Sequence, residues 1–329
     1  MGTTLIGKMN VSRDRVLGML LGVSIGDKLA SVVEGKTPEW ITEHYGRITT
    51  YVEGSHTTDD TQLTLAVAEG MIESPFNMKV QAKKHVEAFK ESTQGWGSTT
   101  REAIRDIANG CSWSKSGQSV EGRGKGNGVA MKIAPIAAFI RHLADSHAEE
   151  EELLKAFTFV RDLTVMTHKT QMAVAASFAH VVALAYCLAN QINVKILPDK
   201  IVGAAKKGLQ YAADLPEETD NIIERFERLK EVKNHSPMEI CQEFGNLSCY
   251  CYNSVPGSHA LFLRMPYQID CLYDTVAVGG DTDTTASLVG SLLGALNGSR
   301  IFPESLIDGV KDQVCDVVDR LCGKLGIER

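Results

Sequence analysis

Val278-Gly279-Gly280-Asp281-Thr282-Asp283-Thr284-Thr285-Ala286-Ser287 is the stretch from which the rest of the chain is read. Two glycines lead into two carboxylates one residue apart. A helical pattern follows, with Leu288, Val289, Leu292, Leu293, Ala295 and Leu296 at helical spacing until Asn297-Gly298 stops it. Side chains two apart share a face only in extended backbone, so Asp281 and Asp283 are expected to point the same way just before the first turn. Gly279 and Gly280 permit the tight entry this requires. With the hydroxyls of Thr282 and Thr284, the carboxylates make a hard oxygen cluster suited to Mg²⁺, Ca²⁺ or Mn²⁺. Asp and Thr also favour the positive end of a helix dipole, so the bland alternative is an acidic cap.

The same composition recurs upstream. Thr57-Thr58-Asp59-Asp60-Thr61 opens a pattern whose apolar residues (Leu63, Leu65, Ala66, Val67, Ala68, Met71, Ile72) run nearly all round, which predicts a central helix. Glu34 follows another glycine-bearing stretch, Gly26-Asp27. Alone, Asp59-Asp60 would be a cap and Glu34 a solvated loop residue. Together, five carboxylates and their threonines can hold two divalent ions, about 3.5–4 Å apart in two-metal sites. One carboxylate is then needed to move protons.

Gly18, Gly22 and Gly26 fall every fourth residue in an apolar helical run, with Gly290 and Gly294 offering a matching small face. Glycine costs about 1 kcal/mol against alanine in a helix, so such a face implies close contact with another backbone and a fold that joins the chain's two ends. Further helices are predicted over 77–92, 99–109, 129–143, 149–163, 171–188, 200–213, 218–230 and 306–325. Another starts at Ser254-Val255-Pro256-Gly257, with Pro256 near its first position. The segment through Trp40 and Tyr45 to Gly54 reads as a polar loop, and only 48–52 alternates like a strand. Residues 1–11 are expected to form a loose, flexible end. No linker, repeat or low-complexity tract interrupts 12–329, which is expected to be a single all-α domain.

Composition narrows the function classes. Apolar residues make up 43% of the 329, and the formal charge is 34 − 41 = −7 with the basic residues scattered, which excludes a nucleic-acid surface. None of the eight cysteines forms a Cys-x-x-Cys, and they read as reduced core thiols of a cytoplasmic protein. No apolar signal segment opens the chain, and no stretch is expected to span a bilayer. Ile6 stands where a myristoylation signal after Met1-Gly2 needs Ser or Thr. A soluble monomer without a membrane or nucleic-acid partner is expected.

Gly122-Arg123-Gly124-Lys125-Gly126-Asn127-Gly128 can cradle an anion, since backbone N–H groups in glycine-rich turns form a nest. It lacks the Gly-Lys-Ser/Thr ending of a Walker loop, and a flexible surface loop is the alternative. His168 stands before an apolar helix as a donor or a cap, while His56 and His180 are taken as structural. No Gly-x-Ser-x-Gly elbow is present.

Four motifs spread over 15–300 make the sequence resemble the ADP-ribosylglycohydrolase family, which includes the dinitrogenase reductase-activating glycohydrolase of bacteria and the eukaryotic ADP-ribosyl-acceptor hydrolases. They are Gly26-Asp27 with Glu34, Thr58-Asp59-Asp60-Thr61, Gly126-Asn127-Gly128 with Met131, and Gly279-Gly280-Asp281-Thr282-Asp283-Thr284. The resemblance implies a compact all-α fold around two Mg²⁺ or Mn²⁺ ions. It implies Thr58, Asp59, Asp60, Asp281, Asp283 and Thr284 as metal ligands, and Glu34 as a mobile acid/base acting with Asp59 and Asp60. Gly124, Gly126, Asn127, Gly128 and His168 would hold the phosphates and ribose of ADP-ribose. Ala30 stands where many members have Gly, and Lys132 where many have Arg. The expected activity is hydrolysis of the bond between ADP-ribose and a modified acceptor, such as a protein side chain, by a metal-activated water at the anomeric carbon. The alternatives are a non-catalytic relative like the J1-crystallins, or a hydrolase of another N-glycoside or a phosphoester.

Overall fold

The computed structural model describes residues 11–118, 123–189, 192–216 and 218–327, and among them no sheet forms. In chain order the helices are α1 (Arg13–Ala30), α2 (Pro38–Tyr45), α3 (Asp59–Glu73), α4 (Met78–Glu91), α5 (Ser98–Ala108), α6 (Trp113–Ser116), α7 (Ala134–Asp145), α8 (Glu150–Val165) and α9 (Gln171–Cys187). There follow α10 (Leu197–Tyr211), α11 (Ile222–Glu227), α12 (Pro237–Glu243), α13 (Cys251–Arg264), α14 (Asp270–Ala277), α15 (Thr282–Asn297), α16 (Glu304–Asp308) and α17 (Lys311–Leu325). The chain is one all-α unit around a single hydrophobic core.

The two glycine faces meet. A Cβ at Gly22 would lie 2.0 Å from the Gly290 oxygen, one at Gly26 2.2 Å from the Ala286 oxygen, and one at Gly294 1.9 Å from the Gly18 oxygen. Those spacings admit no side chain, so the α1 and α15 backbones touch directly, and the pairing of 22 with 290 and 26 with 286 runs antiparallel. Most of α1 and all but Asn297 of α15 are buried, which offsets the helix cost of the glycines. The carboxyl end of α1 is thereby held beside the amino end of α15. The helices α3 and α9 are central as well, α9 being buried on all sides.

Several sequence expectations need correction. The span Arg13–Val33 has the length and hydropathy of a membrane helix, contrary to expectation, but 78% of the relevant window is buried inside the protein, so it serves as a core helix. No strand forms over 48–52. The expected loop around Trp40 contains α2, a short helix that buries only Ile41 and so shows no apolar period. Pro256 lies inside α13 rather than at its start, which is set by the Tyr250 carbonyl accepting from the N–H groups of Asn253 (2.8 Å) and Ser254 (3.1 Å). The helix expected over 218–230 starts later, where Asn221 accepts from the Ile223 N–H (3.1 Å), and ends in a 3₁₀ turn. A 3₁₀ turn, Ala130–Lys132, precedes α7, and 306–325 divides into α16 and α17. The expected loose end, apart from Val11, and Gly122 lie outside the described residues; the Val11 N–H donates to Asp145 (2.9 Å).

Candidate functional site

Asp27, not singled out as a site residue from sequence, organises the first acidic pair. It is wholly buried near the carboxyl end of α1. Its carboxylate accepts the Thr58 N–H (2.8 Å), the Thr61 N–H (3.1 Å) and the Thr61 hydroxyl (2.5 Å). Unpaired N–H groups at the start of α3 are thus satisfied from a neighbouring helix, while the Thr58 hydroxyl accepts from the Asp60 N–H (3.4 Å). Asp59 and Asp60 are not used as the cap, and both line the cleft.

The second pair is reached through the glycines. Gly279 (φ +74°) and Gly280 (φ +84°) adopt left-handed conformations, and a Cβ on Gly280 would lie 2.2 Å from the Asn246 oxygen. The next N–H, from Asp281, donates to Leu247 O (3.0 Å). Only Asp281 precedes the helix; Asp283 lies in its first turn, so the expectation that both precede it is corrected. The two nevertheless converge. One ligand oxygen from each of Glu34, Asp281 and Asp283 lies within 4.8 Å of the others. Glu34 follows the 3₁₀ turn at the end of α1, and its loop is strapped to the glycines by Gly35 N–H to Gly280 O (2.8 Å) and Gly280 N–H to Lys36 O (3.3 Å). The Thr284 hydroxyl donates to Asp60 (3.2 Å), which ties the two pairs together.

Burial dominates the electrostatics. It raises Asp27 and Asp281 above the usual carboxylate range, and Glu34, solvent-exposed but partly desolvated, is raised by that desolvation and then by Asp281. Asp59 is pushed up to about 7 by burial and then by Asp27. Asp60 and Asp283 rise well above the ordinary value through burial and the neighbouring carboxylates. The Asp60 Oδ1 atom is buried with no hydrogen-bond partner. Crowded, dehydrated carboxylates with an orphaned oxygen suit hard divalent cations, and the donor set of carboxylates and threonine hydroxyls fits them.

A cleft of about 640 Å³ opens from these carboxylates to the glycine loop, a size suited to a small-molecule ligand. Gly124, Gly126, Asn127, Gly128 and His168 all line it. The loop is pinned by Asn127 N–H to Cys249 O (3.0 Å), Cys251 N–H to Lys125 O (2.9 Å) and the Thr170 hydroxyl to Gly124 O (2.6 Å). A Cβ on Gly126 would lie 3.2 Å from His168 Nε2, and one on Gly128 3.0 Å from His168 Cε1, so the imidazole lies close against both glycines. Burial lowers His168 to about 3, so it is neutral near pH 7. Its Nδ1 lies 2.9 Å from the Thr167 hydroxyl; donation by that hydroxyl leaves Nε2–H as a donor.

Two features of the loop were not read from the sequence. The Asn127 amide donates to Asp281 (2.6 Å) and Ser254 (3.1 Å), so it orients a carboxylate of the acidic cluster besides lining the cleft. Arg123 is paired with Glu102 and is not a free donor. Sequence reading foresaw the helix over 99–109 but not that its start lines the cleft beside the loop, where a Cβ on Gly128 would lie 3.1 Å from the Thr100 hydroxyl. There α5 begins after Gly97, which provides no side-chain cap, and Ser98, Thr99 and Thr100 line the cleft with its first turn. Tyr250 also lines it and donates to Asp220 (2.7 Å).

The chain is 24% identical over 331 residues to ADP-ribosylhydrolase ARH3 of Xenopus tropicalis, covering 89% of each protein. It is 25% identical over 329 residues to ADP-ribosyl-[dinitrogen reductase] glycohydrolase of Rhodospirillum rubrum, covering 96% of this chain and 98% of that one. A solved structure, an ADP-ribosylglycohydrolase-related protein complex, superposes with a TM-score of 0.70 at 21% identity, covering 95% of this chain and 98% of that one. The family model for ADP-ribosylglycohydrolase matches residues 9–329, and the chain belongs to that family.

Proposed function

We propose that the protein is a metal-dependent hydrolase that releases ADP-ribose from a modified acceptor, in N- or O-linkage. The observation that carries this is that one cavity is lined both by the acidic cluster (Glu34, Asp59, Asp60, Asp281, Asp283 and Thr284) and by the glycine loop Gly124–Gly128 with His168. Thr58, Asp59, Asp60, Asp281, Asp283 and Thr284 would hold two divalent ions, Mg²⁺ or Mn²⁺. When bound, such ions supply Lewis acidity and a template for oxygen-bearing substrates.

The chain's own groups account for the remaining steps. The loop Gly124–Gly128 and the first turn of α5 both line the cleft, and their backbone N–H groups, apart from that of Asn127, which is bonded to Cys249 O, would bind a diphosphate. His168 Nε2–H would donate to the same ligand without bringing a charge. Asn127 fixes the Asp281 carboxylate and so the register between the acidic cluster and the loop. Glu34, on a loop attached through glycines, would take a proton from the attacking water and return it to the leaving group. Free thiols that are largely buried suit a reducing compartment, and a cytoplasmic setting is part of the proposal.

Incubation with ADP-ribosylated arginine and serine peptides, with and without Mg²⁺, tests it. Free ADP-ribose from at least one peptide, only with metal, is expected. No release from either, or release unaffected by chelation, would overturn it.

A further inference from the structure

Among the described residues, Lys125 is the only lysine or arginine that lines the cleft. Six carboxylates line it as well: Glu34, Asp59, Asp60, Asp220, Asp281 and Asp283. Arg123, two residues earlier in the same loop, is committed to its ion pair with Glu102. His168 is neutral near pH 7 and brings no charge. A ligand phosphate entering this cleft therefore meets one full positive charge from the chain, in a protein whose formal charge is −7.

The backbone around Lys125 is fixed, whereas its side chain is uncommitted. Gly124 O accepts from the Thr170 hydroxyl (2.6 Å), Lys125 O accepts from the Cys251 N–H (2.9 Å), and the Asn127 N–H donates to Cys249 O (3.0 Å). Gly126 and Tyr250 pair between them as an isolated antiparallel bridge. The Lys125 ammonium makes no hydrogen bond or ion pair among the described residues, and the residue is half-buried. Asp220, on the same lining, accepts from the Tyr250 hydroxyl (2.7 Å) and is not paired with Lys125. A lysine spent on no protein partner is not part of what holds the loop. On its flexible stem it can meet a phosphate as a point charge.

Resting on the ADP-ribose reading above, we infer that Lys125 is the residue with which the cleft reads ligand charge: its ammonium pairs with the diphosphate and sets a preference for a nucleoside diphosphate over an uncharged nucleoside. The backbone N–H groups of the loop and of α5 orient phosphate oxygens, and a full charge adds an attraction of longer range. Because Lys125 is half-buried and not enclosed, that attraction is screened by salt.

The test is calorimetry on the Mg²⁺-loaded wild type, Lys125→Gln and Lys125→Arg, with ADP-ribose, ADP and adenosine as probes. Each titration is run at about 50 mM and about 500 mM salt, between which the screening length falls severalfold. Lys125→Gln is expected to bind ADP-ribose and ADP roughly tenfold more weakly at low salt, with most of the difference gone at high salt. Lys125→Arg should bind like the wild type, and adenosine should not distinguish the three proteins. All three should melt alike, since the side chain makes no bond within the fold. Equal binding of ADP-ribose by Lys125→Gln and the wild type at low salt would overturn the inference. So would a loss that is the same at both salt concentrations or that extends to adenosine, which marks a structural role. A wild type that binds ADP in a Lys125-dependent way but not ADP-ribose would overturn the functional reading and leave the Lys125 assignment standing. A wild type that binds neither would overturn both.

Discussion

Along the seam between α1 and α15 glycine brings two backbones into contact; at Gly126 and Gly128, in the loop that lines the cleft, it gives clearance to the His168 imidazole. The packing distances separate the two uses. At Gly22 and Gly290 an added Cβ would meet rigid helix backbone at 2.0 and 2.2 Å. At Gly126 it would meet the edge of His168 at 3.2 Å and the Cys249 oxygen at 3.7 Å, whereas at Gly124 of the same loop it would meet the Gln118 oxygen at 2.1 Å, as tightly as at the seam. The first is a structural requirement on which the position of Asp27 depends, and the second a clearance beside the site. Glycine content alone therefore says little about function, and what lies opposite each glycine decides.

The sharpest way to break the comparison is Gly22→Val. Backbone meets backbone there, so no side chain can move aside, and a loss of about 4 kcal/mol or more is expected, the range of severe core disruption. Soluble yield and a cooperative melting transition are the readouts. A folded, stable Gly22→Val protein would show that the seam is looser than described.

Glu34→Gln should leave the fold intact, because Glu34 is exposed on its loop. Turnover should fall by roughly 10²–10⁴, the usual contribution of acid–base catalysis, while ADP-ribose affinity changes little. Retention of most of the turnover would reduce Glu34 to a solvated loop residue. Gly126→Ala probes the other region. It should melt close to the wild type and bind ADP-ribose about tenfold more weakly, or about 1.4 kcal/mol. Unchanged affinity by calorimetry would remove the loop from the site.

The smallest effect concerns pH. In the metal-free protein the cluster's carboxylates titrate above their unfolded values, Asp59 at about 7. Their contribution to stability is therefore present in acid and lost as pH rises through 7. Bound cations remove that penalty by favouring the ionised forms. The metal-induced rise in Tm should accordingly be larger at pH 8 than at pH 5.5, by a few degrees. A rise that is the same at both values would mean that protons and metal do not compete for these groups.

Much of this was legible in the sequence because its signals are local. The period of α15, its Gly-Gly entry and its Asn-Gly stop lie within about twenty residues, and the glycine spacing of α1 announces a close partner. Asp27 was not legible as an anchor, because its partners Thr58 and Thr61 lie 31 and 34 residues away and nothing in Gly26-Asp27 points to them. Lys132 was visible only as a departure from the family's arginine; it is completely buried, in a turn packed between helices. The helix over 99–109 was legible, but not the place of its first turn in the cleft lining, because that depends on packing against residues distant in the chain. Pro256 misled because proline most often marks a first turn, whereas here it is held inside a buried helix.

The central claim is that two acidic pairs from opposite parts of the chain share one pair of ions. Anomalous diffraction from crystals soaked in Mn²⁺ tests it most directly. Two peaks about 3.5–4 Å apart, enclosed by Asp59, Asp60, Asp281 and Asp283, are predicted. Manganese bound only elsewhere, or absent from this cluster at saturating concentration, would contradict it.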